Sequence, residues 1–267
     1  MLGTNCDTTE VQLPCYWGTC CVTLFRVFYP MPTLVFLRMN LPRYHNTAAA
    51  QPDLTRGPGS VRPGISLAVQ GLVCSRNDSV LFSGLEFVVN AGQMLMIEGA
   101  NGSGKTSLLK TLCGFILPDE GEVSWCGNNI RNCMDDYLAG MRYVGHNNGV
   151  KSGLTCTENL NIACAFFGAA RSVDIAGILQ QYGLGRHAET PAQMLSSGQR
   201  RRLALARLSI ARSGIWILDE PFTSLDEKGK VFMRQRFVEQ LSGGGIIVLT
   251  SHEPVLLDGI NSLQVIL

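Results

Sequence analysis

The segment from Gly99 to Thr106 combines the residue types and the spacing of a phosphate-binding loop, because it matches the pattern G-x-x-x-x-G-K-[ST]. In such a loop the glycines let backbone N–H groups close around phosphate oxygens, and the helix that follows adds positive potential at its N-terminus. Lys105 is expected to reach the β- and γ-phosphates and to assist catalysis, and the Thr106 hydroxyl to bind Mg²⁺. The residues predicted to contact the nucleotide here are Gly99, Ala100, Asn101, Gly102, Ser103, Gly104, Lys105, Thr106 and Ser107.

An acidic pair, Asp219 and Glu220, follows the apolar run Ile215–Leu218. Ligands of open α/β sheets bind at the carboxyl ends of strands, so this pair is expected beside the phosphate loop. Asp219 is expected to hold Mg²⁺ directly or through water, and Glu220 to polarise the attacking water as general base. His252 follows the next apolar run, Ile246–Thr250, and is expected to stabilise the charge that develops in phosphoryl transfer.

The segment Leu195–Gln199 precedes a strongly helical pattern. Serine and glycine at a helix start present free N–H groups and hydroxyls to a ligand, with the helix dipole behind them. We therefore expect a second phosphate site formed by Ser197, Gly198 and Gln199. This site lies far along the chain from the glycine loop, which favours a head-to-tail dimer in which each chain completes the other's site. A simple N-cap is the alternative, and the arginines Arg200–Arg202 are more typical of a solvated helix face than of RNA binding.

The elements that must position these residues follow from apolar periodicity. Met94–Glu98 predicts a buried strand before the loop, and Thr106–Leu112 predicts a helix after it. Further strands are predicted at Ser66–Val69, Glu86–Val89, Gly121–Trp125, Arg142–Gly145, Ile215–Leu218 and Ile246–Thr250. Helices are predicted through most of 157–212 and at Glu227–Leu241. Strands without polar alternation are typical of a parallel sheet covered on both faces, so the fold class is α/β with a helical insert.

Bulk properties narrow the class of protein. The 267 residues carry a net charge of +1, which gives no indication of nucleic-acid binding. The ten cysteines form no C-x-x-C pair, so neither a zinc site nor a disulfide framework is predicted. Residues 1–64 form an extension rich in proline and poor in acids, for which a targeting segment, a disordered tail and a misassigned start all stay open. Within it, the apolar stretch 16–37 is interrupted by Arg26 and two prolines and predicts no membrane span.

The combination of motifs resembles the ATP-binding cassette (ABC) ATPases over about residues 65–267. The similarity lies in the Walker A loop, the signature-type Leu195–Gln199, the Walker B pair, a D-loop-like Ser224–Asp226 and the switch-type His252, in the order typical of that family. The resemblance implies a P-loop NTPase fold with a RecA-like core, a small antiparallel β subdomain and a helical signature subdomain at about 150–212. It also implies that two copies sandwich two Mg-ATP and that hydrolysis drives a membrane partner.

A looser resemblance is to the heme-exporter ATP-binding subunits of cytochrome c maturation, the CcmA type. It is carried by Leu81–Leu85, Ile97–Gly102, Gly121–Trp125, Leu195–Arg202, Trp216–Thr223 and Gly244–His252. It implies transmembrane permease subunits as partners and a peripheral position on the cytoplasmic face of the inner membrane. The chain itself carries no C-x-x-C-H motif, and no direct heme binding is expected. An ABC ATPase for another substrate and a soluble ABC ATPase are the alternatives.

Two positions depart from the family pattern. Asn147 stands in the loop where a glutamine is usual, and it is expected to reach Mg²⁺ or the attacking water through a bridging water. Arg76 lies nearest to the position of the aromatic residue that usually stacks on adenine. Its planar guanidinium is a candidate for that stacking, and an ordinary exposed loop arginine is the alternative.

Overall fold

The computed structural model describes residues 65–77, 79–169, 173–251, 254–255, 257 and 259–267. Its strands are β1 (Ser66–Arg76), β2 (Ser79–Asn90), β3 (Met94–Glu98), β4 (Glu120–Trp125), β5 (Asn128–Asn129), β6 (Met141–Val144), β7 (Ile215–Asp219), β8 (Ile246–Thr250) and β9 (Ser262–Ile266). Its α-helices are α1 (Lys105–Leu112), α2 (Met134–Gly140), α3 (Cys156–Phe166), α4 (Ile175–Gln181), α5 (Ser197–Ala206) and α6 (Glu227–Ser242). None of the helices in these ranges is long and apolar enough to cross a membrane. The extension 1–64 and His252 lie outside the described residues.

A parallel sheet with the strand order β6-β7-β8-β3-β9 forms the centre of the fold. Successive side chains of a strand point to opposite faces, and both faces are buried here. On β7, Ile215 and Ile217 pack with α1 on one face, whereas Trp216 and Leu218 pack with α5 and α6 on the other. The α/β class and the covered parallel sheet are thereby confirmed.

A second sheet, with the order β2-β1-β4-β5, is antiparallel. Its first two strands are much longer than Ser66–Val69 and Glu86–Val89, which the sequence predicted. The difference has a physical reason, because register irregularities between Val69 and Ser75 break the alternation on which a strand is recognised. Both long strands contribute buried residues to the core on the α1 side of the parallel sheet.

The region between β6 and β7 is mainly helical, with α3, α4 and α5 joined by short 3₁₀ turns. Two capping boxes define its main helix starts. Thr155 and Glu158 cap α3, and Ser196 and Gln199 cap α5. Three of the named strands and helices were not predicted at all, namely α2, the two-residue strand β5 and the edge strand β9. Strand β9 alternates between exposed and half-buried residues, so its apolar signal is weak.

Candidate functional site

Three strand ends meet at the carboxyl edge of the parallel sheet. β8 lies between β7 and β3, and its last residue, Thr250, pairs with Asp219 of β7 on one side and with Ile97 of β3 on the other. The glycine loop leaves β3 immediately after this edge, and Glu220 follows β7. The sheet order therefore brings the loop and the acidic pair to a single edge, where ligands of open α/β sheets bind.

The glycine loop is too crowded at Gly99 for any side chain. Gly99 has a φ of 148°, and a Cβ built there would lie 2.6 Å from the Ser103 Oγ and 2.7 Å from the Leu267 carbonyl oxygen. Ser103 Oγ is itself buried without a hydrogen-bond partner among the described residues. A buried hydroxyl without a hydrogen-bond partner destabilises the fold, and a ligand that bonds to this hydroxyl would remove that cost.

Lys105 folds back over the loop that precedes it. Its side chain is buried, and Nζ donates to the carbonyl oxygens of Gly99 at 2.7 Å and Ala100 at 3.0 Å. The ammonium is thus held at the loop, with two of its three donors used on the backbone. Ser107 lies one residue further along α1, where its carbonyl oxygen accepts a hydrogen bond from Thr111.

A chain of hydrogen bonds joins α1 to the ends of β7 and β8. Thr106 Oγ1 donates to Asp219 Oδ2 at 2.9 Å, and Thr250 Oγ1 donates to Asp219 Oδ1 at 2.7 Å. The same Thr250 hydroxyl accepts from the Glu220 N–H at 2.9 Å. Of the three residues that the sequence assigns to Mg²⁺, Thr106 and Asp219 are therefore in direct contact and present hard oxygen donors.

Glu220 is held in an unusual backbone conformation. Its φ of 50° lies in the left-handed region, which residues with side chains rarely adopt. Its Oε2 accepts a hydrogen bond from Thr223 Oγ1 at 3.1 Å. Glu220 lines a cavity of about 230 Å³ whose wall includes Thr223, Ser224 and Ser251. Strain of this kind is typical of functional sites, where the surrounding structure holds it in place.

The signature-type segment lies at the start of α5. Ser196 is the N-cap, and its Oγ accepts a hydrogen bond from the Gln199 N–H. The side chain of Gln199 is used within the helical region, because Oε1 accepts from the Ser196 N–H and Nε2 contacts His187. A Cβ on Gly198 would lie 2.6 Å from the Ser224 carbonyl oxygen, whereas Ser197 is exposed. Within the described part of one chain, no contact joins Ser197, Gly198 or Gln199 to the glycine loop.

The remaining predicted residues stand apart from this cluster. Asn147 is exposed in the turn after β6, and no hydrogen bond within the described residues joins it to Thr106 or Asp219. Its neighbour Asn148 is anchored, because its Oδ1 accepts a hydrogen bond from Arg201. Arg76 is exposed at the end of β1, opposite Ser79.

The prediction that Arg200–Arg202 form a solvated helix face is wrong at Arg201, which is only 4% exposed. The reason is tertiary, because backbone carbonyls from two loops surround its guanidinium and replace water. Sequence reasoning also passed over Ser196 and Thr250. Ser196 has the serine and glutamine spacing of a capping box, and Thr250 is the polar end of an apolar strand, so both carried a readable signal.

Similarity to known proteins covers most of the chain. The ABC transporter family model matches residues 82–223. The cytochrome c biogenesis ATP-binding export protein CcmA of Nitrosomonas europaea is 42% identical over 215 residues, which cover 80% of this chain and 100% of that protein. The protein of the same name from Escherichia coli K12 is 42% identical over 189 residues, which cover 71% of this chain and 90% of that protein.

Solved structures give the same fold. An ATP-binding subunit of an ABC transporter has a TM-score of 0.64 at 24% identity and covers 70% of this chain and 79% of its own. An ABC transporter ATP-binding protein from Pyrococcus furiosus also has a TM-score of 0.64, at 22% identity over 76% of this chain and 97% of its own. Taken with the motifs and the geometry of the sheet edge, these similarities show that the chain belongs to the ABC transporter ATPases, among the cytochrome c biogenesis ATP-binding export proteins of the CcmA type.

Proposed function

We propose that the cluster at the sheet edge hydrolyses ATP. The observation that carries this proposal is the hydrogen-bond chain from Thr106 through Asp219 to Thr250 and the Glu220 backbone. It joins the glycine loop to the acidic pair in one rigid unit. The loop residues Gly99 to Ser107 hold the triphosphate through backbone N–H groups and the start of α1, and the Lys105 ammonium offers charge to the same phosphates.

The oxygen donors of Thr106 and Asp219 fit Mg²⁺, which prefers a hydroxyl and a carboxylate together with substrate phosphates. These two residues would hold the ion, and Asn147 is assigned to it through water. When bound, Mg²⁺ neutralises the charge that develops on the phosphate oxygens. Thr250 keeps the Asp219 carboxylate oriented from the opposite side, because it donates to the oxygen that Thr106 does not contact.

Glu220 is assigned as the general base. Its carboxylate accepts a proton from the attacking water as the water oxygen bonds to the γ-phosphorus and the bond to ADP breaks. The contact from Thr223 to Oε2 restrains the rotation of this carboxylate. His252, which follows β8 in the sequence, is assigned to hydrogen-bond the transferred phosphoryl group, and Arg76 is assigned to stack on the adenine base.

Two copies of the chain complete each site in this proposal. Ser197 is exposed at the N-terminus of α5, where the first N–H groups of a helix have no acceptor within the helix and are suited to bind a phosphate. The Gln199 N–H donates to the Ser196 cap, so Ser197 and Gly198 are the residues whose N–H groups are assigned to that phosphate. Since one chain makes no contact between this helix start and its own glycine loop in the described residues, the partner copy supplies Ser197, Gly198 and Gln199 to the nucleotide.

The membrane role of this ATPase belongs to cytochrome c biogenesis, with heme handling as the process that hydrolysis serves and transmembrane permease subunits as the partners. The names of its relatives support this proposal. The chain then lies on the cytoplasmic face of the inner membrane, carried there by its partners. An ABC ATPase for another substrate is the alternative.

A groove beside the helical region is suited to such a partner. It encloses about 420 Å³ between α2, β6 and α3, and its lining is mostly apolar. Phe166 on its rim is 83% exposed, and Phe115 and Leu138 are also exposed. Exposed apolar side chains around one concavity are typical of a protein contact, and we assign the groove to a permease segment.

Gentle detergent purification of the tagged chain from membranes, followed by mass spectrometry, tests this assignment. We expect multi-span cytochrome c maturation subunits with the wild-type chain and their loss with Phe166→Asp. Val231→Asp is the matched control, because Val231 is 60% exposed on α6 and does not line the groove. Recovery of a different permease would discard the heme role, and recovery of ribosomes or soluble partners alone would overturn the membrane role.

A further inference from the structure

Arg201 lies in the middle of α5, and it is buried. Its Nη2 donates to the Asp219 carbonyl oxygen at 2.6 Å and to the Glu220 carbonyl oxygen at 2.7 Å. Its Nη1 donates to the Gly145 carbonyl oxygen at 2.9 Å and to Asn148 Oδ1 at 3.1 Å. One buried guanidinium therefore joins α5, the end of β7 and the turn after β6.

Burying a charged side chain costs free energy unless its donors are hydrogen-bonded, so the burial of Arg201 calls for a structural or functional explanation. Burial lowers the pKa of Arg201, and the Asp219 and Glu220 carboxylates nearby oppose that shift. Guanidinium nitrogens in a fixed planar fork are suited to holding two neighbouring carbonyls at once, which an ammonium does less well. The two carbonyls held here belong to the residues to which the metal and the proton transfer are assigned.

The contact to Glu220 matters because of that residue's backbone. A left-handed φ on a residue with a side chain persists only where neighbouring groups hold it. Glu220 is held on one side by Thr250, which accepts its N–H, and on the other by Arg201, which donates to its carbonyl oxygen. Both contacts fix the peptide planes that aim the Glu220 side chain.

Arg207 provides a comparison within the same segment. It is also directed at the turn after β6, where it donates to the carbonyl oxygens of Asn148 at 2.7 Å and Gly149 at 3.3 Å. Burial lowers its pKa as well. Arg207 does not contact Asp219 or Glu220, so the two arginines share the turn and differ at the acidic pair.

We propose that Arg201 is a positioning residue for the general base, which holds the Glu220 backbone in its strained conformation and ties it to α5 and to the turn after β6. This inference rests on the role proposed above for Glu220. It gives α5 a direct link, within the same chain, to the backbone of the residue that carries the reacting carboxylate.

Steady-state ATPase kinetics of the full chain test the link. In Arg201→Met we expect kcat to fall about 100-fold, because a small misplacement of a catalytic group has an effect of that order. The KM for ATP should change less than about threefold, since the glycine loop does not depend on Arg201. Arg201→Lys keeps the charge and one or two donors and should recover part of kcat. Arg207→Met is the control and should keep kcat within about threefold of wild type, even if both methionine variants unfold at lower temperature.

A double-variant cycle separates positioning from a general loss of structure. If Arg201 acts through Glu220, the residual turnover of Arg201→Met/Glu220→Gln should equal that of Glu220→Gln alone. A further loss in the double variant, or an equal loss of kcat in Arg201→Met and Arg207→Met, would overturn the inference. If Arg201→Met does not fold, Arg201→Lys in the same cycle gives the same decision. Normal turnover by Glu220→Gln would instead refute the proposed base, so the two failures are distinguishable.

Discussion

Thr250→Val removes one hydroxyl from the centre of the site while keeping the shape of the side chain. Thr250 is fully buried, so water does not replace the lost group. The change leaves Asp219 Oδ1 without its donor and the Glu220 N–H without its acceptor. An unsatisfied buried group costs about 1–3 kcal/mol, so two at the middle of that range cost about 4 kcal/mol.

That loss is large enough to measure by unfolding. For a domain of this size, about 4 kcal/mol corresponds to a fall in Tm of about 8–16 °C. Thr250→Ser is the matched control, because it keeps both hydrogen bonds and removes only a methyl group, worth about 0.8 kcal/mol. We expect the valine variant also to lose kcat, since Asp219 and the Glu220 backbone both become less constrained.

The assay is urea unfolding of wild type and both variants, read together with ATPase turnover. The serine variant should resemble wild type in both measurements. Equal stability and equal kcat for the valine and serine variants would show that the hydroxyl does not organise the acidic pair, and the reasoning from the hydrogen-bond chain would be refuted.

Three further changes probe other parts of the account. Lys105→Ala removes an ammonium held at the loop. Because a charged hydrogen bond is worth about 1.5–3 kcal/mol, the change should weaken ATP binding about 10–100-fold. Unchanged affinity in a nucleotide titration would contradict the role of Lys105 in phosphate binding. Ser197→Trp should leave ATP binding by the monomer unchanged and abolish hydrolysis, and normal turnover would contradict the shared site. It is a cleaner probe than a bulky residue at Gly198, which would also clash with the Ser224 carbonyl oxygen. The hydrogen bond from Arg202 holds the pKa of Asp226 below its ordinary 3.8, so the ion pair stabilises the fold above pH 3.8 and this effect is lost as the pH falls through the lower folded pKa. The loss of stability in Asp226→Asn should therefore be seen at pH 7 and should shrink below pH 3.8. A loss that does not depend on pH would exclude the ion pair as its cause.

The α/β fold class was predictable because its evidence is local. Buried parallel strands are apolar throughout, and β3, β7 and β8 carry that signal without interruption. The edge strand β9 and the long strands β1 and β2 lack it, since half-exposed residues and register shifts weaken the pattern. Strand β9 pairs with β3, which is distant along the chain, whereas β1 and β2 pair with each other across a tight turn.

The candidate site likewise has one part that could be predicted from the sequence and another that could not. The glycine loop and the acidic pair are short motifs whose spacing is visible in the sequence, and their assigned roles stay predictions. Arg201 could not be distinguished from Arg200 or Arg202 by residue type, because only the packed structure surrounds it with carbonyl groups. Thr250 is visible in the sequence as the polar end of an apolar strand, but its contacts with Asp219 and Glu220 follow only when β8 is known to lie between β7 and β3.

The most direct test of the central claim is the turnover and the association state of Glu220→Gln with Mg-ATP. The amide keeps the size of the side chain but does not accept the proton of the attacking water. We expect the variant to bind ATP as tightly as wild type, to lose hydrolysis and to accumulate as a dimer in size-exclusion chromatography with light scattering. A Glu220→Gln protein that hydrolyses ATP at the wild-type rate would contradict this expectation.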